Sequence, residues 1–166
     1  MATTLIKWAK TKKEILYPPV PKAPQRILEA VGAQNINALV FYHHSLLRHS
    51  PIGNLYPKDD ADFLLGVQRA ADFVVEAFGG GDVFTSVHGR PALCSRHAPF
   101  IIDENAREIW LMLYKQTLIE TNFPKPFLEE FWNWIEPFSL CMINKKTSTL
   151  LPKRFYFSTL KSEFGL

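Results

Sequence analysis

Apolar residues recur at three- and four-residue spacing along several stretches of this chain, and nowhere does the period-two alternation of a strand persist. Ile36, Leu39, Val40, His43, His44 and Leu47 form one such stripe, predicting a helix that starts near Asn35 as its cap and stops at Leu47 or Arg48, before Pro51 and Gly53. A second helix is expected from about Asp60 to Phe78, with Asp59 or Asp60 as cap and Gly79-Gly80-Gly81 as its stop. Gly66, Ala70, Phe73 and Ala77 share one face of it, while Phe63, Val67, Val74 and Phe78 share the adjacent face. Three small residues and an aromatic on one stripe make a shallow trough, suited either to a flat ligand or to close helix packing.

Residues 82–102 carry Gly89, Pro91 and Pro99 and read as loop around one short helix near Ala92–His97. Asp103 then caps a helix running to about Thr121, apolar over more than half its circumference through Ile109, Trp110, Leu111, Met112, Leu113, Tyr114 and Leu118. Such a helix lies between two layers. Asn122, Pro124 and Pro126 break the pattern, and a last helix spans about Phe127 to Asn144, with a kink expected at Pro137. The class is all-α. Helices of unequal length joined by irregular turns favour globin-like crossing over an up-down bundle.

Both ends fall outside this core. Leu5, Trp8, Ile15 and Leu16 predict a short amphipathic helix, and Pro18, Pro19, Pro21 and Pro24 then enforce an extended arm. The organisation is therefore an arm over 1–25, a helical domain over 26–144 with two short helical segments split by Gly32 at its start, and a tail over 145–166. Phe155, Tyr156 and Phe157 are expected to fold the tail back onto the domain.

Composition narrows the classes. With 47% hydrophobic and 21% charged residues the chain is globular, and a net charge of +3 without a basic run interleaved with aromatics argues against nucleic acid. The cluster Lys7, Lys10, Lys12 and Lys13 reads as a solvated face. Neither a secretory signal nor a membrane-length apolar run is present, so a soluble, cytoplasmic protein is expected. Cys94 and Cys141 have no CxxC spacing, and neither marks an activated thiolate. Gly79-Gly80-Gly81 ends a helix instead of opening one and makes no phosphate loop.

The candidate chemistry lies with histidine. His43, His44, His49, His88 and His97 match no zinc-finger or HExxH spacing. His97, however, ends a short helix and precedes the Pro99 turn, a setting that presents an imidazole rigidly, and Arg96 beside it could pair with a carboxylate. His43 and His44 sit on an apolar stripe, where burial demands a partner for each: a backbone carbonyl, a bound ligand or a metal. Trp110 carries an indole N–H with the same requirement.

The ordered set Phe41-Tyr42, Leu55-Tyr56-Pro57 with Asp59-Asp60, Phe78-Gly79-Gly80, Gly89-Arg90-Pro91, Arg96-His97-Ala98-Pro99-Phe100 and Trp110 resembles the group II truncated haemoglobins. These are short two-over-two globins, and the resemblance covers roughly Ile36 to Asn144. It implies haem b as cofactor, with His97 as proximal iron ligand, Arg96 as a propionate partner, and Leu93, Ala70 and Phe73 as further haem contacts. On the distal side it implies Trp110, Tyr56 and Gly66, together with whichever of Tyr42, His43 and His44 takes the position facing the iron. The chain is one residue longer than the family pattern between Tyr42 and Tyr56, which leaves that choice open, and two longer between Pro57 and the distal helix.

A diatomic gas (oxygen, nitric oxide or carbon monoxide) is the ligand this implies, with sensing, scavenging or redox chemistry expected ahead of bulk oxygen delivery. Nitric oxide dioxygenation and peroxide reduction are the enzymatic options, and both need a reductase partner. A bis-histidyl electron-transfer protein and a cofactor-free helical interaction module are the alternatives. A monomer or weak homodimer is expected.

Overall fold

The computed structural model describes residues 18–166; the amphipathic helix expected between Leu5 and Leu16 lies outside them. Every regular element among the described residues is helical. Helices α1 (Gln25–Val31) and α2 (Ala33–Arg48) are followed by α3 (Asp60–Ala77), then the short α4 (Thr85–His88) and α5 (Leu93–His97). The long α6 (Glu104–Glu120) and α7 (Leu128–Leu140) follow, with α8 (Phe157–Leu160) in the tail.

Local signals set most boundaries. Asp59 accepts from the Asp62 amide at 3.0 Å and Asp103 from the Ala106 amide at 2.8 Å, so both acidic caps satisfy a donor that the first helical turn leaves orphaned. The start of α2 differs from expectation. Gly32, at φ +83°, closes α1 and caps α2, while Asn35 sits inside α2 and donates from Nδ2 to the Val31 carbonyl at 2.8 Å. The last long helix is shorter than Phe127–Asn144: Lys125–Phe127 form a 3-10 turn, and α7 ends at Leu140.

Four helices carry the two-over-two arrangement. Helix α2 packs on α3 and also on α6, and α6 packs on α7. The buried stripes are those periodicity marks: Ile36, Leu39, Val40 and Leu47 of α2, Phe63, Val67, Ala71 and Val74 of α3, and Leu111, Tyr114 and Leu118 of α6. Helix α7 is buried on nearly every side through Phe131, Trp132, Trp134 and Ile135. The tail completes this core, because Phe155, Phe157, Leu160 and Phe164 belong to the same buried cluster. Trp132 donates its indole N–H to the Phe155 carbonyl at 2.6 Å, fixing the point where the tail returns. No described helix is long and apolar enough to cross a membrane.

Candidate functional site

Helices α2, α3, α5, α6 and α7 enclose a cavity of about 690 Å³, within the range of cavities that hold cofactors and small ligands. Phe73, Phe100, Trp110 and Phe138 give it flat apolar walls, and His97, His44, Tyr56 and Trp110 supply polar atoms.

The His97 side of the cavity is built by backbone restraint. Glu76 accepts from the Phe84 and Thr85 amides, each at 2.8 Å, and so caps α4, a turn the sequence pattern leaves as loop. The chain then passes Gly89 at φ +71° and Ala92 at φ +39°, ψ +45°, a left-handed conformation that is costly for alanine, and enters α5. His97 closes that helix. Its Nδ1–H donates to the Leu93 carbonyl at 2.8 Å. A carbonyl only accepts, so Nδ1 must carry a proton, and in the neutral ring Nε2 keeps its lone pair. That tautomer is the one a metal-ligating imidazole needs.

Asn144 holds the turn that follows. Its Nδ2 donates to the His97 carbonyl at 3.1 Å and the Phe100 carbonyl at 2.8 Å, and its Oδ1 accepts from the Ile102 amide at 2.9 Å. The sequence pattern marks Asn144 only as a helix end; no local signal links it to His97, 47 residues away. Arg96 also lines the cavity, with its guanidinium donating to the Pro91, His88 and Arg90 carbonyls at 2.8, 2.6 and 3.2 Å. It clamps the turn before α5.

On the other side the histidine pair divides. His44 lines the cavity, and its Nδ1–H donates to the Val40 carbonyl at 2.8 Å, leaving the Nε2 lone pair free. His43 is fully buried behind the lining: its Nε2–H donates to the Trp110 carbonyl at 3.0 Å, and Nδ1 has no partner among the described residues. Burial lowers the pKa of both, His43 most, so both rings are neutral.

Tyr42 is corrected. It is 39% exposed, and its hydroxyl donates to Glu120 at 2.7 Å on the outside of the molecule. One position along a helix turns a side chain by about 100°, so a stripe holding His43 inside carries Tyr42 out. Tyr56, Gly66, Ala70, Phe73, Leu93 and Trp110 all line the cavity. Burial pushes the Tyr56 phenol upward, keeping it protonated. Tyr114 lines the cavity too, although periodicity marked it only as part of an apolar face.

The model of the bacterial-like globin family matches residues 26–144. The chain belongs to that family. Among solved structures, phosphate-bound Hell's gate globin IV is 40% identical with a TM-score of 0.88, covering 91% of this chain and 94% of its own. The group II truncated haemoglobin of Bacillus anthracis is 26% identical, with a TM-score of 0.68 over 73% of this chain and 98% of its own. Group 2 truncated hemoglobin YjbI of Bacillus subtilis (strain 168) is 24% identical over 118 residues, 70% of this chain and 87% of that protein. This globin is thus of the group II truncated type, and Hell's gate globin IV matches more of it than the 26–144 core accounts for.

The residues present fit the haem that the family implies. A cavity of sufficient size with flat apolar walls is lined by an imidazole whose Nδ1 is tied to backbone and whose Nε2 is bare.

Proposed function

We propose that this globin holds haem b through His97 Nε2 and binds a diatomic gas there, in sensing, scavenging or redox chemistry. The observation that carries the reading is the Nδ1–H bond from His97 to Leu93 beside a cavity of about 690 Å³. Leu93, Ala70 and Phe73 would line the ring, and the chain has no C-x-x-C-H sequence to attach it covalently. Arg96 serves a propionate only through nitrogen not engaged by its three carbonyls. Bound haem would supply an iron with a coordination position open to oxygen, nitric oxide or carbon monoxide. The protein's contribution is to orient His97, exclude water with Phe73, Phe100 and Phe138, and present Trp110 and Tyr56 as donors to the ligand. Nitric oxide dioxygenation or peroxide reduction, served by an external reductase, would follow from such a site.

A second reading rests on His44. Its free Nε2 in the same cavity is also a competent iron ligand, which would make the protein bis-histidyl and suited to electron transfer. The test is the visible spectrum of the purified protein, ferric and dithionite-reduced, beside a His97→Gly variant with and without added imidazole. An intense Soret band that the variant loses and imidazole restores supports ligation by His97. A five-coordinate reduced spectrum supports gas binding, and a six-coordinate one supports closure by His44. No Soret band after addition of haemin overturns both.

A further inference from the structure

Tyr114 follows Trp110 by four residues on α6, so the two share a face one turn apart, and both line the cavity. The Tyr114 side chain is almost fully enclosed, at 2% exposure. Its ring is held on three sides: by His43 at a centroid distance of 3.8 Å, by Trp110 at 5.0 Å and by Phe131 at 5.5 Å. These contacts use the ring, and no described residue accepts a hydrogen bond from the hydroxyl. Burial alone raises its pKa, with no hydrogen bond contributing, so the group is a neutral donor throughout the physiological range. Native interiors rarely leave a phenol hydroxyl without an acceptor, and a phenylalanine would fill the same space without that cost.

We propose that Tyr114 is a further ligand-binding residue of the cavity, its hydroxyl donating to the acceptor atom of the bound diatomic. This rests on the haem reading above. The hydroxyl therefore contributes to ligand retention and nothing to folding, whereas a residue present only to fill the core would contribute the reverse.

Tyr114→Phe removes one oxygen atom and tests the two roles separately. In the haem-free protein the midpoint of thermal unfolding should stay the same or rise, because no protein partner is lost. In the loaded protein, carbon monoxide serves as the probe: the C–O stretching frequency should rise as a donor is removed, and oxygen dissociation should quicken about three- to tenfold, the size of one hydrogen bond. A fall of several degrees in the haem-free midpoint would place the hydroxyl in a bond within the protein and overturn the proposal. So would an unchanged C–O stretch in Tyr114→Phe when Trp110→Phe shifts it. A wild-type protein that takes up no haem removes the proposal together with the reading beneath it; a normal Soret band with an unmoved stretch removes the Tyr114 assignment alone.

Discussion

Glu136 offers the most direct energetic test of how the tail is attached. Its carboxylate, 4% exposed, accepts from Arg107 Nη2 at 2.7 Å, from Arg154 Nε and Nη2 at 2.9 and 2.8 Å, and from the Phe155 amide at 3.2 Å. Arg107, with its side chain 2% exposed, also donates to Ser139 Oγ at 2.9 Å and to the Lys153 carbonyl. One buried anion thus ties α6, α7 and the returning tail. Glu136→Gln keeps the shape but leaves the Arg107 cation enclosed without its counter-charge. Removing one partner of a buried pair costs about 3–5 kcal/mol. For a chain of this size that is a drop of about 6–20 °C in the unfolding midpoint.

Urea unfolding followed by far-ultraviolet circular dichroism reads the loss directly, and a double variant, Arg107→Met with Glu136→Leu, should recover much of it by removing both charges. The pH dependence has a definite sign. Burial pushes the Glu136 carboxyl up, but the hydrogen bonds from Arg154 and Phe155 and the charges of both arginines outweigh it, so its pKa lies below the ordinary value. Its contribution is complete above the unfolded carboxylate pKa and is lost as pH falls through the lower folded value. The acid limb of the wild-type stability curve should therefore be steeper than that of Glu136→Gln. A loss under about 1 kcal/mol with parallel acid limbs would refute the view that this buried pair holds the tail.

Caps, close approaches, backbone strain and buried imidazoles each have a measurable consequence. Asp59→Ala and Asp103→Ala should each lower stability by about 1 kcal/mol in urea titrations, through loss of a helix cap. Gly53→Ala should be destabilising by the same assay, because its Cβ would run into the Arg48 carbonyl oxygen. Ala92→Gly should instead raise stability by up to about 1 kcal/mol, since it relieves the left-handed strain at the entry to α5. Because burial depresses both His43 and His44, the unfolded chain takes up protons that the folded one does not as pH falls from about 6.5. Stability should decline over that window, and less so in His44→Leu.

What was legible in the sequence was mostly local. An aspartate before an apolar stripe announces a helix start, and Asp59 and Asp103 perform that task. Asn35 carried the same signal, yet Gly32 caps α2 because α1 and α2 share that single hinge residue, leaving Asn35 to face back to Val31. The motif around His97 could be read because its neighbours in sequence are also its neighbours in space, from Leu93 to Phe100. The parts that stayed hidden depend on long-range partners. Asn144 braces the His97 turn, Glu136 meets Arg107 and Arg154, and Arg96 spends its guanidinium on carbonyls of the preceding turn. Helical phase explains why Tyr42 lies outside while His43 lies inside, since a stripe defined by its centre does not say which flanking position turns outward.

The tautomers carry one consequence for ligand recognition. His97 and His44 make the same bond, Nδ1–H to the carbonyl four residues earlier, so each ring, when neutral, presents a bare Nε2. Burial keeps His44 neutral, and in that state it has no second proton to give. It can ligate iron or accept a proton from a bound group, but it cannot stabilise a bound diatomic by donation. Under the proposed reading donation would fall to Trp110, Tyr56 and Tyr114, which line the same cavity. In the carbon monoxide complex, where His44 does not hold the iron under either reading, His44→Leu should leave the C–O stretch nearly unmoved while Trp110→Phe raises it. An upward shift in His44→Leu as large as that in Trp110→Phe would mean that the Nδ1–Val40 bond breaks on ligand binding and the ring reverses its tautomer. The division of the cavity wall into one acceptor and three donors would then fail.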